Sequence, residues 1–184
     1  MARDDVLRSI EEMASRRGGL PILGPRKGKL LADTVRAKRP SRILEVGTLI
    51  GYSAILMSEH LAPGGRITCV EVSKSNAATA RKNFAQAGVA DRIDVVVGPG
   101  LEVIPKLAGP YDLMFIDAAK DEYLGYLKAA EPALALDAVV VADNVGYFKE
   151  DVADYLEYVR NTGRYRSENH PIGGDAVEVS RRIA

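Results

Sequence analysis

Five short apolar runs, bounded by turn residues and separated by helix-length amphipathic stretches, constrain the fold of this 184-residue chain more than any other feature. Alternation of that kind predicts an α/β fold: a mostly parallel sheet with helices on both faces. Strands are expected near residues 42–47, 66–71, 92–97, 112–117 and 138–143, with helices over 53–61, 73–87, 101–107 and 121–134 between them. Ser73 offers a helix cap, Gly88 a stop and Pro63-Gly64-Gly65 a turn. Upstream, 6–15 and 25–37 read as helices on either side of Gly18-Gly19-Leu20-Pro21. Downstream, a helix over 149–161 precedes two short strands, 164–169 and 176–182, joined by Pro171-Ile172-Gly173-Gly174-Asp175. That tail is too short for a crossover helix, so the final pair is expected to be antiparallel. The length suits one domain over 1–184, with 1–20 as a short N-terminal helical extension.

Acidic residues stand where these runs end. Glu45 closes Ile43-Leu44-Glu45-Val46-Gly47, Glu71 ends the run 66–70, Asp117 follows Leu113-Met114-Phe115-Ile116, and Asp143-Asn144 follows Val139-Val140-Val141-Ala142. In an open parallel sheet ligands bind at the carboxyl ends of the strands, so these acids point to a polar site. After the first strand comes Glu45-Val46-Gly47-Thr48-Leu49-Ile50-Gly51-Tyr52-Ser53, where glycines permit close backbone approach and a helix N-terminus presents free N–H groups. Its G-x-x-x-G spacing is neither the dinucleotide turn nor the nucleotide-triphosphate loop. With Glu71 placed to accept from both hydroxyls of a ribose, the pattern describes a nucleoside-containing ligand without a pyrophosphate. Packing glycines and a solvent-exposed glutamate are the plainer alternatives.

Lys+Arg and Asp+Glu both number 25, and the formal net charge of +0 predicts no broad attraction to nucleic acid or to an anionic membrane. Arg16, Arg17, Arg26, Lys27, Lys29, Arg36, Lys38, Arg39 and Arg42 read as a solvated helix surface, with a polyanion patch as the alternative. The single cysteine, Cys69, lies within an apolar strand and is expected in the core rather than as a nucleophile. No stretch reaches the roughly 20 apolar residues of a membrane span, and the charged N-terminus lacks the core of a signal peptide. A soluble, cytoplasmic protein is the expectation.

Four blocks carry a family resemblance: the Glu-Val-Gly-Thr-x-x-Gly-Tyr-Ser string, Glu71, Phe115-Ile116-Asp117-x-x-Lys120, and Ala142-Asp143-Asn144-Val145. Their order and spacing resemble the cation-dependent O-methyltransferases of the catechol and caffeoyl-CoA type, over about residues 20–183. The resemblance implies a Rossmann-like class I methyltransferase fold with S-adenosylmethionine as methyl donor and a seven-stranded sheet whose last strand is antiparallel. It implies that Gly47, Thr48, Gly51 and Ser53 hold the methionine end of the cofactor, that Glu45 supports its amine and that Glu71 holds the ribose. Val72, Gly98 and Asp117 complete that set, and Leu23 and Gly24 meet the cofactor's carboxylate through backbone. Asp117, Asp143 and Asn144 match the metal ligands, all oxygen donors suited to Mg²⁺. Lys120 matches the proton acceptor, and with Asp117 forms the catalytic pair.

The implied acceptor is a small catechol-like aromatic, and the implied assembly a homodimer. The chain departs from the pattern at Gly98-Pro99-Gly100 and at Ala118-Ala119, which shape the adenine end. Tyr147 and Phe148 could wall an aromatic acceptor or serve packing. Asp175 resembles a loop of the caffeoyl-CoA branch with its glycine displaced, and His170 reads as a hairpin residue. Related enzymes that methylate tRNA hydroxyuridines supply one alternative, and a non-catalytic S-adenosylmethionine-binding protein another.

Overall fold

Strand β1 (Arg42–Val46) alternates sides: Ile43 packs into the apolar layer on one face of the sheet, Leu44 and Val46 into the layer on the other, and all three are buried. Strand β4 (Tyr111–Ile116) repeats this, with Leu113 and Phe115 on the first face and Met114 and Ile116 on the second. Strands apolar on both faces need cover on both, and helices supply it. The computed structural model describes residues 2–16 and 19–184; Arg17 of the basic cluster and Gly18 of the expected break lie outside the described residues. The first face is covered by α1 (Arg3–Arg16), α2 (Gly24–Lys38), α3 (Tyr52–Ser58) and α4 (Lys74–Gln86), through side chains such as Ile10, Leu31, Ile55 and Phe84. The second is covered by α6 (Tyr123–Ala130) and α7 (Ala153–Asn161), through Tyr123, Leu127, Tyr155 and Val159, with Ile104 after α5 (Gly100–Val103) beside them.

The sheet has seven strands in the order β3-β2-β1-β4-β5-β7-β6. Strands β2 (Arg66–Glu71), β3 (Ile93–Val97) and β5 (Leu134–Ala142) join β1 and β4 in parallel pairing, whereas β7 (Asp175–Arg182) is antiparallel to both β5 and β6 (Tyr165–Ile172). The expected antiparallel last strand is therefore present, inserted between β5 and β6. Because β2 and β4 leave β1 on opposite sides, a crevice opens at the carboxyl ends of these strands.

Several boundaries differ from expectation, for local reasons. The expected helix over 101–107 is one α-helical turn followed by a 3-10 turn, Ile104–Lys106, that contains Pro105. The expected helix over 121–134 is shorter, α6 being flanked by 3-10 turns, the second containing Pro132. Strand β5 starts at Leu134, which pairs with Tyr111 ahead of a bulge, so it runs longer than the expected 138–143. Helix α7 starts at Ala153 rather than 149. The final hairpin turns on Gly173-Gly174 alone, both at positive φ, as a tight two-residue turn requires. Pro171 is tolerated in β6 because that strand lies at the sheet edge.

Candidate functional site

The loop after β1 is shaped by close approaches. The Gly47 N–H donates to the Val70 carbonyl at 2.9 Å, and the Asp117 N–H donates to the Val46 carbonyl at 2.9 Å, which sets the tips of β1, β2 and β4 side by side. Gly47 has φ +89°, and a Cβ there would lie 2.1 Å from the Asp117 carbonyl oxygen. Glu45 is fully buried under this loop, its two oxygens accepting from the Thr48 and Ser53 hydroxyls at 2.5 Å each. Burial pushes its carboxyl upward, the two hydroxyls and Cys69 pull it down, and the Asp117 charge adds to the rise. Glu71 accepts the Leu49 N–H on one oxygen and the Ser73 N–H on the other, both at 2.8 Å, tying the loop to the start of α4.

A cavity of about 710 Å³ opens at these strand ends. Leu23, Gly47, Thr48, Ser53, Glu71, Val72 and Gly98 line it, and so do Asp117, Lys120, Asp143 and Asn144. Glu45 and Gly51 do not reach the wall. Glu45 instead anchors two residues that do. Gly51, at φ +91°, packs on Phe84, whose ring carbon would lie 2.4 Å from an added Cβ. Pro99, Gly100, Ala118 and Ala119 also line the cavity, together with Asn76, Glu122 and Tyr126, which the sequence patterns did not single out.

At the acidic end, Lys120 Nζ donates to Asp117 Oδ1 at 2.8 Å and to the Tyr123 hydroxyl at 2.9 Å, and that hydroxyl donates to the Asp143 carbonyl at 3.0 Å. Burial and the charge of Asp117 push the Asp143 carboxyl up to about 6, against the pull of Lys27 and the Asn144 N–H. Lys27 Nζ lies 2.7 Å from Asp143 Oδ1 and 2.6 Å from Asp175 Oδ2. Burial alone would raise the Asp175 carboxyl, but Lys27, Asn144 and the N–H groups of Tyr147 and Ala176 hold it well below the usual carboxylate range.

Asn144, at φ 61°, donates through Nδ2 to Asp175 Oδ2 at 2.9 Å. A carboxylate only accepts, so this bond orients the amide and leaves its oxygen for another ligand. Asp117, Asp143 and that oxygen form a hard donor set with two negative charges, which fits a divalent cation such as Mg²⁺. Among the described residues no group of three or more His, Cys, Asp and Glu side chains has metal-site placement.

Phe148 lines the cavity, with Lys120 Nζ 5.6 Å from its ring centroid, while Tyr147 is 76 % exposed and stays off the wall. Cys69 is buried in mid-strand, and His170 lies in β6 beside Glu168, away from the cavity. Lys27 is the main residue whose part was missed. Its signal was available: the first turn of α2 carries Arg26 and Lys27 and no acid, which opposes the helix dipole unless carboxylates lie opposite.

A family model described as O-methyltransferase matches residues 5–178. The chain is 41% identical over 187 residues to the catechol O-methyltransferase of Mycobacterium tuberculosis, covering 97% of this chain and 84% of that protein. It is 37% identical to the catechol O-methyltransferase of Sus scrofa over 78% of this chain and 80% of that protein. Among solved structures, an O-methyltransferase of Streptomyces achromogenes involved in tomaymycin synthesis, in complex with SAM, superposes with a TM-score of 0.87 at 29% identity, covering 97% of this chain and 90% of that one. An O-methyltransferase of Bacillus cereus in complex with SAH superposes with a TM-score of 0.88 at 25% identity, again covering 97% and 90%. Among the described residues, no helix is long and apolar enough to cross a membrane.

Proposed function

Because the chain belongs to the O-methyltransferase family, we propose that it moves a methyl group from S-adenosylmethionine to one hydroxyl of a small catechol-like aromatic, with a divalent cation, Mg²⁺, at Asp117, Asp143 and Asn144. One observation carries this reading: the glycine turn with Glu71 and the Asp117, Lys120, Asp143, Asn144 group open into one cavity. The relatives' catechol specificity and the cofactors in the related structures support the acceptor and the donor.

Gly47, Thr48 and Ser53 receive the methionine end of the donor, with Leu23 at its carboxylate. Val72 and Gly98 flank the nucleoside, and Glu71, with lone pairs to spare beyond its two backbone bonds, accepts from the ribose. When bound, the cation supplies positive charge that favours the ionised form of an acceptor hydroxyl. Lys120, once it has released its own proton to become a neutral amine, takes the hydroxyl proton at Nζ, the atom that Asp117 and Tyr123 hold in place. Phe148 offers a face to the acceptor ring. Catalysis here is alignment of the hydroxyl oxygen with the sulfonium methyl, so small displacements of these groups are costly. A homodimer working in the cytoplasm, folded as one domain over 1–184, belongs to the same proposal.

The test is donor consumption. With S-adenosylmethionine, Mg²⁺ and a panel of catechols and hydroxylated RNA, demethylated donor should accumulate with a catechol and fall at least about 100-fold, or roughly 2.7 kcal/mol of barrier, in Asp143→Ala or Lys120→Ala. Turnover that survives a chelator and Asp143→Ala while donor still binds would remove the metal from this reading, and product with RNA alone would replace the acceptor.

A further inference from the structure

Lys27 already holds one of the carboxylates that an added cation would need. Its ammonium lies 2.7 Å from Asp143 and 2.6 Å from Asp175, with the three side chains only 13 %, 2 % and 14 % exposed. The two carboxylates differ in what else holds them. Asp175 Oδ2 also accepts from Asn144 Nδ2 at 2.9 Å, and Oδ1 accepts the N–H groups of Tyr147 and Ala176 at 2.7 Å and of Gly146 at 3.2 Å. Asp143, apart from Lys27, accepts the N–H of Asn144 at 2.7 Å and is repelled by Asp117. Asp143 is thus the less supported carboxylate, and a buried charge left without a partner costs several kcal/mol.

We propose that Lys27 is a resident counter-ion of the cavity's acidic end: it neutralises Asp143 while no divalent cation is bound, and gives up Asp143 but keeps Asp175 when one binds. This rests on the metal site proposed above. Lys27 stabilises the metal-free site at the expense of cation affinity, because the entering ion displaces one cation and still meets its charge nearby. Asp175 serves as the parking partner. Its grip on Asn144 is independent of where the ammonium points, so that metal donor stays oriented throughout.

The experiment is calorimetric titration of Mg²⁺ into the chelator-treated full chain without donor or acceptor, for wild type, Lys27→Gln, Lys27→Arg and Asp143→Ala. Lys27→Gln should bind Mg²⁺ about tenfold more tightly than wild type, which is roughly 1.4 kcal/mol. Its metal-free form should melt at lower temperature, and saturating Mg²⁺ should raise its Tm by more than that of wild type. Lys27→Arg, which keeps the charge, should bind no more tightly than wild type, and Asp143→Ala should lose the heat. A folded Lys27→Gln with equal or weaker Mg²⁺ affinity overturns the counter-ion role and leaves the metal site standing. No Mg²⁺ heat in either wild type or Lys27→Gln overturns both. If Lys27→Gln does not fold, acetylation of lysines by an N-hydroxysuccinimide ester, read by mass spectrometry on wild type, decides. Mg²⁺ should raise modification of Lys27 severalfold relative to exposed Lys29, and an unchanged or lower ratio overturns the proposal.

Discussion

Gly47 and Asp117 approach so closely that a methyl group on the first would lie 2.1 Å from the carbonyl oxygen of the second. The contact joins the tips of β1 and β4, and it fixes the glycine loop after β1 relative to Asp117.

Gly47→Ala is therefore expected to be damaging in two ways. Its φ of +89° is strained for any other residue, and the Asp117 carbonyl must also move. The left-handed backbone alone costs roughly 1–2 kcal/mol, so a total loss above about 2 kcal/mol is expected, with weaker S-adenosylmethionine binding. Thermal melting and calorimetry check this. An alanine variant of wild-type stability and donor affinity would contradict the close approach.

Glu45 makes stability depend on pH in an unusual direction. Burial raises its carboxyl above the ordinary 4.5, so the folded chain holds that proton more tightly than the unfolded chain. Its favourable contribution is complete below 4.5 and is lost as pH rises through the higher folded value. Melting curves across that range should show wild type losing stability relative to Glu45→Gln as pH rises. Parallel curves for the two proteins would refute the buried-carboxyl account.

Phe148 and Tyr147 are neighbours with different expected roles. Phe148 lines the cavity, while Tyr147 is 76 % exposed and packs edge-on to it with centroids 5.0 Å apart. Phe148→Ala should raise KM for aromatic acceptors about tenfold, near 1.4 kcal/mol, with a smaller change in kcat. Tyr147→Ala should change KM far less. Steady-state kinetics on both variants separates them, and equal effects would place the acceptor elsewhere.

Arg160 and Glu178 form a structural pair outside the cavity. Arg160 donates from Nε and Nη2 to the two oxygens of Glu178 at 2.7 and 2.6 Å, and Glu178 is 1% exposed. Arg160→Ala leaves that buried carboxylate with Asn169 as its remaining side-chain partner, at 3.0 Å. A loss of about 3 kcal/mol is expected, and replacing both residues by leucine should recover most of it. Denaturant unfolding measures both, and a double variant no better than Arg160→Ala would show that packing, not the unpaired charge, is responsible.

Local chemistry decided much of this protein. The apolar runs at 43–46, broken only by Glu45, and at 113–116 specify strands covered on both faces, the glycines at 173–174 mark a turn between the last two strands, and acids placed just at strand ends fall on one rim in any parallel sheet. Helix ends around Pro105 and Pro132 were less legible, because a proline states where a helix is interrupted and not how the interruption is absorbed. The tertiary structure alone decided which charges meet. Lys27 and Asp175 are 148 positions apart, and they touch because α2, packed against α3 and β4, brings its first turn beside the turn between β6 and β7. Glu45 likewise shares the acidic strand-end pattern with Asp117 and Asp143, yet the Thr48 and Ser53 hydroxyls and the layer above it close it off from the cavity. Periodicity and turn chemistry act over a few residues and are written in sequence; the pairing of buried charges depends on strand order and helix docking, which no short segment carries.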